Sequence, residues 1–255
     1  MNKETGSAFR TVVVFIHGFM GSPRQFDKLA QSVKDEGYST TSLLLPGHGS
    51  TVKEFSSVTM EEWQSYVNAE IERLSPDYDD IFLVGHSMGC LLAINAAVMN
   101  TANFRGLFLM ACPLKLRIFS AHALKLRTKI IFYRKSHPIK ATYIASNSIP
   151  PRLSLIWRII KPTVELKKLI RITKGNLQNV SVPVTAVFSL DDELVSLDSL
   201  DILKNNLNQA SFNSMILSDS LHSYYPEHEH LMIENALISA IQHRFHKSSA
   251  LASIS

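Results

Sequence analysis

The chain has 255 residues, of which 45% are hydrophobic and 19% are charged, and it contains only two cysteines. These values fit one α/β domain with room for an inserted subdomain, and they exclude a low-complexity chain and a disulfide framework. No apolar run reaches the roughly 18 residues of a membrane span, and we expect no secretory signal, so a cytoplasmic protein is predicted.

The net charge of +4 is distributed unevenly along the chain. Residues 113–175 contain fifteen Lys and Arg and one acid, whereas the remainder contains 11 basic and 21 acidic residues. Such a shift in composition marks a domain boundary. We therefore predict a core domain of residues 1–112 and 176–255, interrupted by a basic helical cap of residues 113–175.

Apolar, β-branched segments alternate with segments of helical periodicity. The predicted strands are residues 11–18, 40–49, 80–85, 105–111, 182–189 and 211–218. The predicted helices of the core are residues 22–37, 59–74, 88–100, 196–207 and 230–245. This alternation predicts a mostly parallel, doubly wound sheet with helices on both faces. The basic segment leaves the sheet at the carboxyl end of a strand, where ligands bind in such sheets, and it is expected to lie over the site.

The segment Gly85-His86-Ser87-Met88-Gly89 lies between a predicted strand and a predicted helix. Gly-x-Ser-x-Gly at such a junction is the pattern of the nucleophile elbow, a tight turn that presents a serine at a helix N-terminus. We therefore predict that Ser87 is a catalytic nucleophile.

A serine hydroxyl needs a base to take its proton, and an imidazole oriented by a carboxylate can supply one. In a sheet of this kind, the acid and then the histidine follow the serine along the chain. The acids that follow one late strand are Asp191, Asp192 and Glu193. His222 follows the next strand and is the predicted base. His228 and His230 lie at the start of the last predicted helix, where a solvated surface position is the simpler interpretation.

Two backbone amides are expected to bind the oxyanion that forms during attack. One is the amide of Met88, the residue after the predicted nucleophile. The other is the amide of Phe19, in the loop after the first strand. Two histidines in nearby loops, His17 and His48, are interpreted as structural.

Together these segments resemble the α/β-hydrolase superfamily, and in particular small bacterial carboxylesterases and monoacylglycerol lipases. The resemblance runs from about residue 11 to residue 245. It rests on "VFIHGFMGSP", "LLPGHG", "EEW", "VGHSMGC", "MACP", "SLDDELV" and "LHSYY".

The resemblance implies a triad of Ser87, Asp192 and His222, because the family acid is the Asp of Asp-x-x-Val. It implies no metal and no organic cofactor. Two features depart from the family pattern. Leu221 stands where relatives have a glycine before the histidine, and few residues precede the first strand, so the sheet is expected to lack an edge strand.

By this resemblance, the chain is a serine hydrolase that cleaves fatty-acyl esters, as a carboxylesterase or a monoacylglycerol lipase. A lysophospholipase or acyl thioesterase remains an alternative, because one triad serves all of these acyl transfers. A binding module without turnover is a further alternative, which the complete triad disfavours.

The basic cap mixes bulky apolar residues with Lys and Arg, and Pro162 is expected to divide its last stretch into two helices. Trp157 and Ile160 are expected to line an acyl pocket. A solvated basic face is one interpretation of the charge. The others are contact with anionic lipid, attraction of an anionic substrate such as an acyl-CoA, and binding of a protein partner. Nucleic acid is not expected, because the rest of the chain is acidic.

Overall fold

The structure is a computed structural model that describes residues 10–100, 102–117, 120–146 and 156–242. Its centre is a six-stranded sheet in the order β2-β1-β3-β4-β5-β6. All neighbouring strands are parallel. The strands are β1 (Thr11–Ile16), β2 (Ser39–Leu43), β3 (Asp80–His86), β4 (Phe104–Met110), β5 (Val184–Ser189) and β6 (Phe212–Leu217). The six predicted strands and the predicted parallel sheet are therefore confirmed.

Helices cover both faces of this sheet. Those of the core are α1 (Asp27–Asp35), α2 (Val52–Ser57), α3 (Met60–Leu74), α4 (Met88–Met99), α8 (Asp198–Asn206) and α9 (Glu227–Gln242). Successive strand residues point to opposite faces. Val12 and Val14 of β1 pack in one cluster with α3 and α4, whereas Val13 and Phe15 pack in a second cluster with α1 and α9.

Helix α3 illustrates how the sequence dictates these elements. The Thr59 side chain accepts from the amide of Glu62, and the Glu62 carboxylate accepts from the amide of Thr59, which together form a capping box. One face of the helix, including Trp63, Val67 and Ile71, is fully buried against the sheet. Helix α4 is different, since its residues are buried from Met88 to Ala96, as expected for a segment that is apolar nearly all round.

Three further helices lie between β4 and β5: α5 (Ala121–Phe132), α6 (Pro138–Ser146) and α7 (Ile156–Asn176). The predicted break at Pro162 is wrong, because Pro162 lies inside the single helix α7. The proline removes one backbone hydrogen bond. Beyond it, Leu169 and Thr173 are fully buried, so tertiary packing holds the helix together.

The division into core and cap remains a prediction. Two of the contacts between residues 113–175 and the rest of the chain, among the described residues, bear on it. Residues 115–117 pair with residues 194–196 through an antiparallel bridge between Leu116 and Val195. The second half of α7 packs on the core, where the Glu165 carboxylate accepts from the amide of Met60 at 3.2 Å. The predicted loss of an edge strand concerns residues 1–9, which lie outside the described residues.

Within the described ranges, no helix combines the length and the apolar character that crossing a bilayer would require.

Candidate active site

Ser87 lies in a strained turn between β3 and α4. Its backbone has φ 52° and ψ −121°, a conformation that residues with a side chain rarely adopt. Gly89 makes the turn possible, because a Cβ atom there would lie 1.9 Å from the carbonyl oxygen of Ile16 in β1. The predicted strand–turn–helix context of Ser87 is thus present, with the serine at the N-terminus of a buried helix.

The loop after β1 approaches this turn closely. A Cβ atom on Gly18 would lie 2.9 Å from the Cβ atom of Ser87. Phe19 follows, and its ring contacts Phe55 at a centroid distance of 5.1 Å. Met88 is the first residue of α4, so its amide is one of those that a helix leaves without an intrahelical acceptor. The two predicted oxyanion donors therefore belong to two segments that meet at Ser87.

Two neutral histidines fix the loop after β1 to the turn after β2. His17 donates from Nδ1 to the carbonyl of Gly18 at 2.9 Å and accepts at Nε2 from the amide of Leu45 at 3.1 Å. His48 donates from Nδ1 to the carbonyl of Pro46 at 3.1 Å and accepts at Nε2 from the amide of Met20 at 3.2 Å. Each ring acts as donor and acceptor at once, as only a neutral imidazole can.

Burial accounts for this neutrality. It lowers the pKa of His17 to about 3, with a smaller contribution from the neighbouring His48. Burial also lowers the pKa of His48 to about 4. Both rings thus remain uncharged above these values, and the structural role assigned to them from the sequence agrees with their contacts.

The structure brings Asp192 and His222 together. Nδ1 of His222 lies 2.9 Å from Oδ2 and 3.1 Å from Oδ1 of Asp192. A carboxylate can only accept, so Nδ1 carries the proton and Nε2 presents its lone pair. Oδ1 of Asp192 also accepts from the amides of Leu194 and Val195, each at 2.8 Å, which orients the carboxylate.

The two side chains shift each other's pKa. Burial alone would raise the pKa of Asp192, but the charge and hydrogen bond of His222 and the two amides outweigh burial and lower it. Burial alone would lower the pKa of His222, but Asp192 outweighs burial and raises it, with a further contribution from Glu193. The pair is therefore built to favour an ionised aspartate and an imidazole of increased basicity.

His86 connects the serine turn to the histidine loop. Its Nε2 donates to the carbonyl oxygen of His222 at 2.8 Å, and the two rings lie 5.0 Å apart between centroids. Burial, and then the nearby His222, lower the pKa of His86 to about 3. The residue before Ser87 thus holds the backbone of the predicted base.

Glu193 is a second side chain, after His86, whose role the sequence did not predict. It was one of three acids after the strand, and it is 2% exposed. Its Oε2 accepts from the backbone amide of His222 at 3.1 Å, so it contacts the main chain of the predicted base. The signal in the sequence was the position of Glu193 next to Asp192. That position does not show whether Glu193 contacts the ring or the backbone of His222.

A second buried carboxylate, Glu229 in α9, holds the start of the histidine loop. It accepts from the amides of Ser218 and Asp219 at 2.6 and 3.0 Å and from the hydroxyl of Ser220. Burial alone would raise the pKa of Glu229, but these donors outweigh burial and lower it. Potential ligand atoms of Asp219, His228 and Glu229 lie within 4.8 Å of one another, although both oxygens of Glu229 already accept from the donors just named.

Leu221 stands where the family pattern has glycine. The residues with positive φ other than glycine, among those described, are Met20, Ser87 and Ala111. Leu221 therefore does not have the positive φ that would call for glycine at this position. Its amide donates to the carbonyl of Tyr224 at 2.9 Å and closes the loop around His222.

Trp157 and Ile160 lie on α7 and are 80% and 49% exposed. A cavity of about 370 Å³ lies instead between the core and α6. Residues that line it include His86, Met110 and Tyr225 from the core and Thr142, Ala145 and Ser146 from α6. Trp157 and Ile160 are not among the described lining residues, so their predicted contact with an acyl chain remains a prediction.

Comparisons with known proteins identify the family. The model of the alpha/beta hydrolase family matches residues 13–170, more than half of the chain. The chain belongs to the α/β-hydrolase family. This agrees with the resemblance inferred from the sequence.

Individual relatives are similar over nearly the whole chain. A thermostable monoacylglycerol lipase of Bacillus sp. (strain H-257) is 23% identical over 224 residues, covering 87% of this chain and 86% of that protein. The crystal structure of the Paleococcus ferrophilus monoacylglycerol lipase has a TM-score of 0.68 at 17% identity, covering 94% of this chain and 97% of that chain.

A soluble variant of the Saccharomyces cerevisiae monoglyceride lipase, solved with a substrate analogue, has a TM-score of 0.69 at 14% identity. The match covers 94% of this chain and 88% of that chain. At these identities, the structural matches show the fold.

Proposed function

We propose that this protein is a serine hydrolase that cleaves fatty-acyl esters through an acyl-serine intermediate. The observation that carries the proposal is the buried Asp192–His222 pair, at 2.9 Å, linked by His86 to the strained turn of Ser87. A positive φ at a serine between a strand and a helix, in a turn that His86 connects to the loop of an imidazole oriented by a carboxylate, supports nucleophilic catalysis.

In this proposal, the hydroxyl of Ser87 attacks the ester carbonyl while Nε2 of His222 takes its proton. The protonated imidazole then gives that proton to the departing alcohol. Water then attacks the acyl carbon as it gives a proton to the same nitrogen, and the imidazolium returns that proton to the Ser87 oxygen as the bond to the fatty acid breaks. Asp192 holds Nδ1–H throughout and stabilises the imidazolium, and the direction of the His222 pKa shift supports this role.

The negative charge that develops on the carbonyl oxygen is assigned to the amides of Phe19 and Met88. The close approach of Gly18 to Ser87 and the start of α4 at Met88 support this assignment. The hydrogen bonds of His17 and His48 connect the Phe19 loop to the turn after β2 and so fix its position relative to Ser87. Such preorganisation matters, because loss of a single oxyanion donor typically costs about 100- to 1,000-fold in kcat.

Monoacylglycerol is the substrate that we propose among fatty-acyl esters. The support is the whole-length similarity to the Bacillus sp. (strain H-257) protein named a thermostable monoacylglycerol lipase. The test is hydrolysis of monoacylglycerol, short and long p-nitrophenyl esters, lysophospholipid and acyl-CoA, at low and high salt. The highest kcat/KM on monoacylglycerol with little salt dependence is the expected result.

Ser87→Ala is the control for this panel, and its circular dichroism spectrum should match that of the wild type. Turnover retained in Ser87→Ala would overturn the serine mechanism. A preference for acyl-CoA or lysophospholipid that high salt abolishes would overturn the substrate assignment and identify the basic segment as a recognition element for anionic substrates.

We also propose that helix α5 contacts the surface of anionic lipid. Lys125, Lys129 and Phe132 recur at spacings of four and three residues, so they share one face of the helix, and all three are exposed. Phe132 is 82% exposed. Lysine interleaved with exposed apolar residues on one helix face is the pattern of interfacial helices.

Vesicle sedimentation tests this contact. The protein should sediment with phosphatidylglycerol vesicles and much less with phosphatidylcholine vesicles, because each basic residue near an anionic surface contributes about 1 kcal/mol. The double variant Lys125→Glu, Lys129→Glu should stay in the supernatant, whereas Lys34→Glu on α1 should sediment like the wild type. Equal sedimentation of all three proteins would overturn the proposal.

A further inference from the structure

One buried carboxylate, that of Glu193, joins the basic segment of residues 113–175 (here called the inserted segment) to the backbone of the predicted base, His222. The hydroxyl of Tyr143 in α6 donates to Oε1 of Glu193 at 2.5 Å. The backbone amide of His222 donates to Oε2 of the same carboxylate at 3.1 Å. Glu193 therefore bridges α6 and the histidine loop through its two oxygens.

The Glu193 carboxylate is buried and is surrounded by hydrogen-bond donors. The residue is nearly inaccessible, and a carboxylate without solvent destabilises a fold unless it is hydrogen-bonded and paired. Tyr143 and the amide of His222 provide the hydrogen bonds to the carboxylate, and Nη2 of Arg127 in α5 donates to the backbone carbonyl of Glu193 at 2.8 Å. Burial, and then the adjacent Glu193, raise the pKa of Tyr143 well above its ordinary value, so its hydroxyl keeps the proton that it donates.

The inserted segment also holds the rest of the loop that carries Asp192. Nη1 of Arg117 donates to the carbonyls of Leu190 and Asp192 at 3.1 and 3.4 Å. The amide of Arg117 donates to the carbonyl of Leu194 at 2.8 Å. The loop of the predicted acid is thus bound to the inserted segment on both sides of Glu193.

We propose that Glu193 is a positioning residue for His222, and that Tyr143 of the inserted segment acts on His222 through it. The proposal rests on the proposed function, because it assigns the imidazole that Glu193 positions as the catalytic base. Movement of α6 away from the core would release Glu193 and loosen the His222 backbone. The state of the inserted segment would thereby set the alignment of the base.

Because Glu193 is charged, its removal should change the pKa of His222, which a purely structural role would not do. A carboxylate beside His222 favours the imidazolium, so replacing it with a neutral amide should lower the pKa of His222. Other groups also face the imidazole or its loop and remain unchanged in the test. They are Asp192, Arg127, His86, Tyr143 and Tyr225.

The experiment is titration of the His222 imidazole by NMR in the wild type and in Glu193→Gln, together with the pH profile of kcat/KM. The expected result is a lower His222 pKa, an acid limb that moves to lower pH by the same amount, and a fall in kcat with little change in KM. Glu165→Gln is the matched control, because Glu165 is also buried and also accepts a backbone amide, that of Met60. It should leave the His222 titration unchanged.

Tyr143→Phe tests the connection to the inserted segment and keeps the ring that packs in the fold. Removal of one hydrogen bond should lower kcat by about two- to tenfold. The variant should have no further effect when added to Glu193→Gln, because Tyr143 acts through that carboxylate. Tyr133→Phe is the control on the same segment, since the Tyr133 ring stacks on His137 at 3.7 Å.

Two results would overturn the proposal. One is a His222 titration that is the same in Glu193→Gln and Glu165→Gln. The other is an equal loss of kcat from Tyr143→Phe in both backgrounds. The NMR titration needs no substrate, so failure of the proposed esterase function would appear as absent turnover in the wild type while the His222 titration still reported on Glu193.

Discussion

His86 donates a 2.8 Å hydrogen bond from its ring to the carbonyl oxygen of His222. The residue before the predicted nucleophile thereby holds the main chain of the predicted base. The ring is buried and its pKa is about 3, so the donor is a neutral imidazole at any working pH. The serine turn and the histidine loop come from distant parts of the chain, and this bond fixes their spacing.

Two substitutions at His86 should distinguish the contribution of its hydrogen bond to kcat from the contribution of its ring volume. The amide nitrogen of His86→Gln can approach the position of Nε2, whereas the shorter side chain of His86→Asn cannot. We expect His86→Asn to lower kcat by about tenfold or more and His86→Gln to lose less, since a buried hydrogen bond contributes about 0.5–1.5 kcal/mol and an unpaired buried carbonyl costs more. Steady-state kinetics on one ester measure this. Equal kcat in the two variants would contradict the proposed spacing role.

Three buried neutral histidines should make the fold sensitive to acid. The pKa values of His17 and His86 are about 3 and that of His48 is about 4, each lowered from 6.5 mainly by burial. Below pH 6.5 the unfolded chain therefore binds up to three protons that the native state does not. The free energy of unfolding should fall with decreasing pH from about 6.5 to 4, by up to about 4 kcal/mol per pH unit.

Urea denaturation at pH 7, 6 and 5 measures this slope. The raised pKa of His222 has the opposite effect, because its stabilisation increases as pH falls from that pKa to about 6.5. It therefore reduces the slope near pH 7, and the interval from pH 6 to 5 gives the clearest measurement. His48→Phe keeps an aromatic ring beside Phe55 and Trp63, and it should reduce the number of protons bound on unfolding by about one. A free energy of unfolding that is constant from pH 7 to 5 would show that the three rings are not buried as neutral groups.

How far the sequence predicts this structure depends on how local each signal is. The strands and the Thr59 cap were predictable, because alternation and capping are patterns within a few residues. Pro162 misled the prediction because its local cost is outweighed by the burial of Leu169 and Thr173 against distant elements. The contacts of Glu193 could not be predicted for the same reason, since they join residues 143, 193 and 222 in three dimensions.

The pH profile of hydrolysis should reflect the raised pKa of His222. Catalysis requires the neutral imidazole, so kcat/KM should rise with pH through the pKa of the free enzyme. Because Asp192 raises this pKa, the midpoint of the acid limb should lie above 6.5, the ordinary value for histidine. Asp192→Asn should lower both the midpoint and kcat, the latter by about 10⁴-fold. A midpoint below 6.5 in the wild type would contradict the assigned pair.

Two glycines should respond to alanine in opposite ways. A Cβ atom on Gly89 would lie 1.9 Å from the carbonyl oxygen of Ile16, whereas a Cβ atom on Gly175 in α7 would meet no atom within 4 Å. Gly89→Ala should therefore yield little folded protein. Gly175→Ala should raise the free energy of unfolding by about 0.4–1 kcal/mol, because it restricts the unfolded chain. Thermal denaturation tests both, and a Gly89→Ala variant of wild-type stability would contradict the packing of the serine turn.

Ser87 is the proposed nucleophile, and every step of the proposed hydrolysis depends on it. The most direct test is incubation of the wild type and Ser87→Ala with a fluorophosphonate, followed by peptide mass spectrometry. We expect a single phosphonyl adduct on the peptide that contains Ser87 of the wild type, with loss of ester hydrolysis in proportion to labelling, and no adduct in Ser87→Ala. An unlabelled wild type, or an adduct on another residue with Ser87→Ala still active, would contradict it.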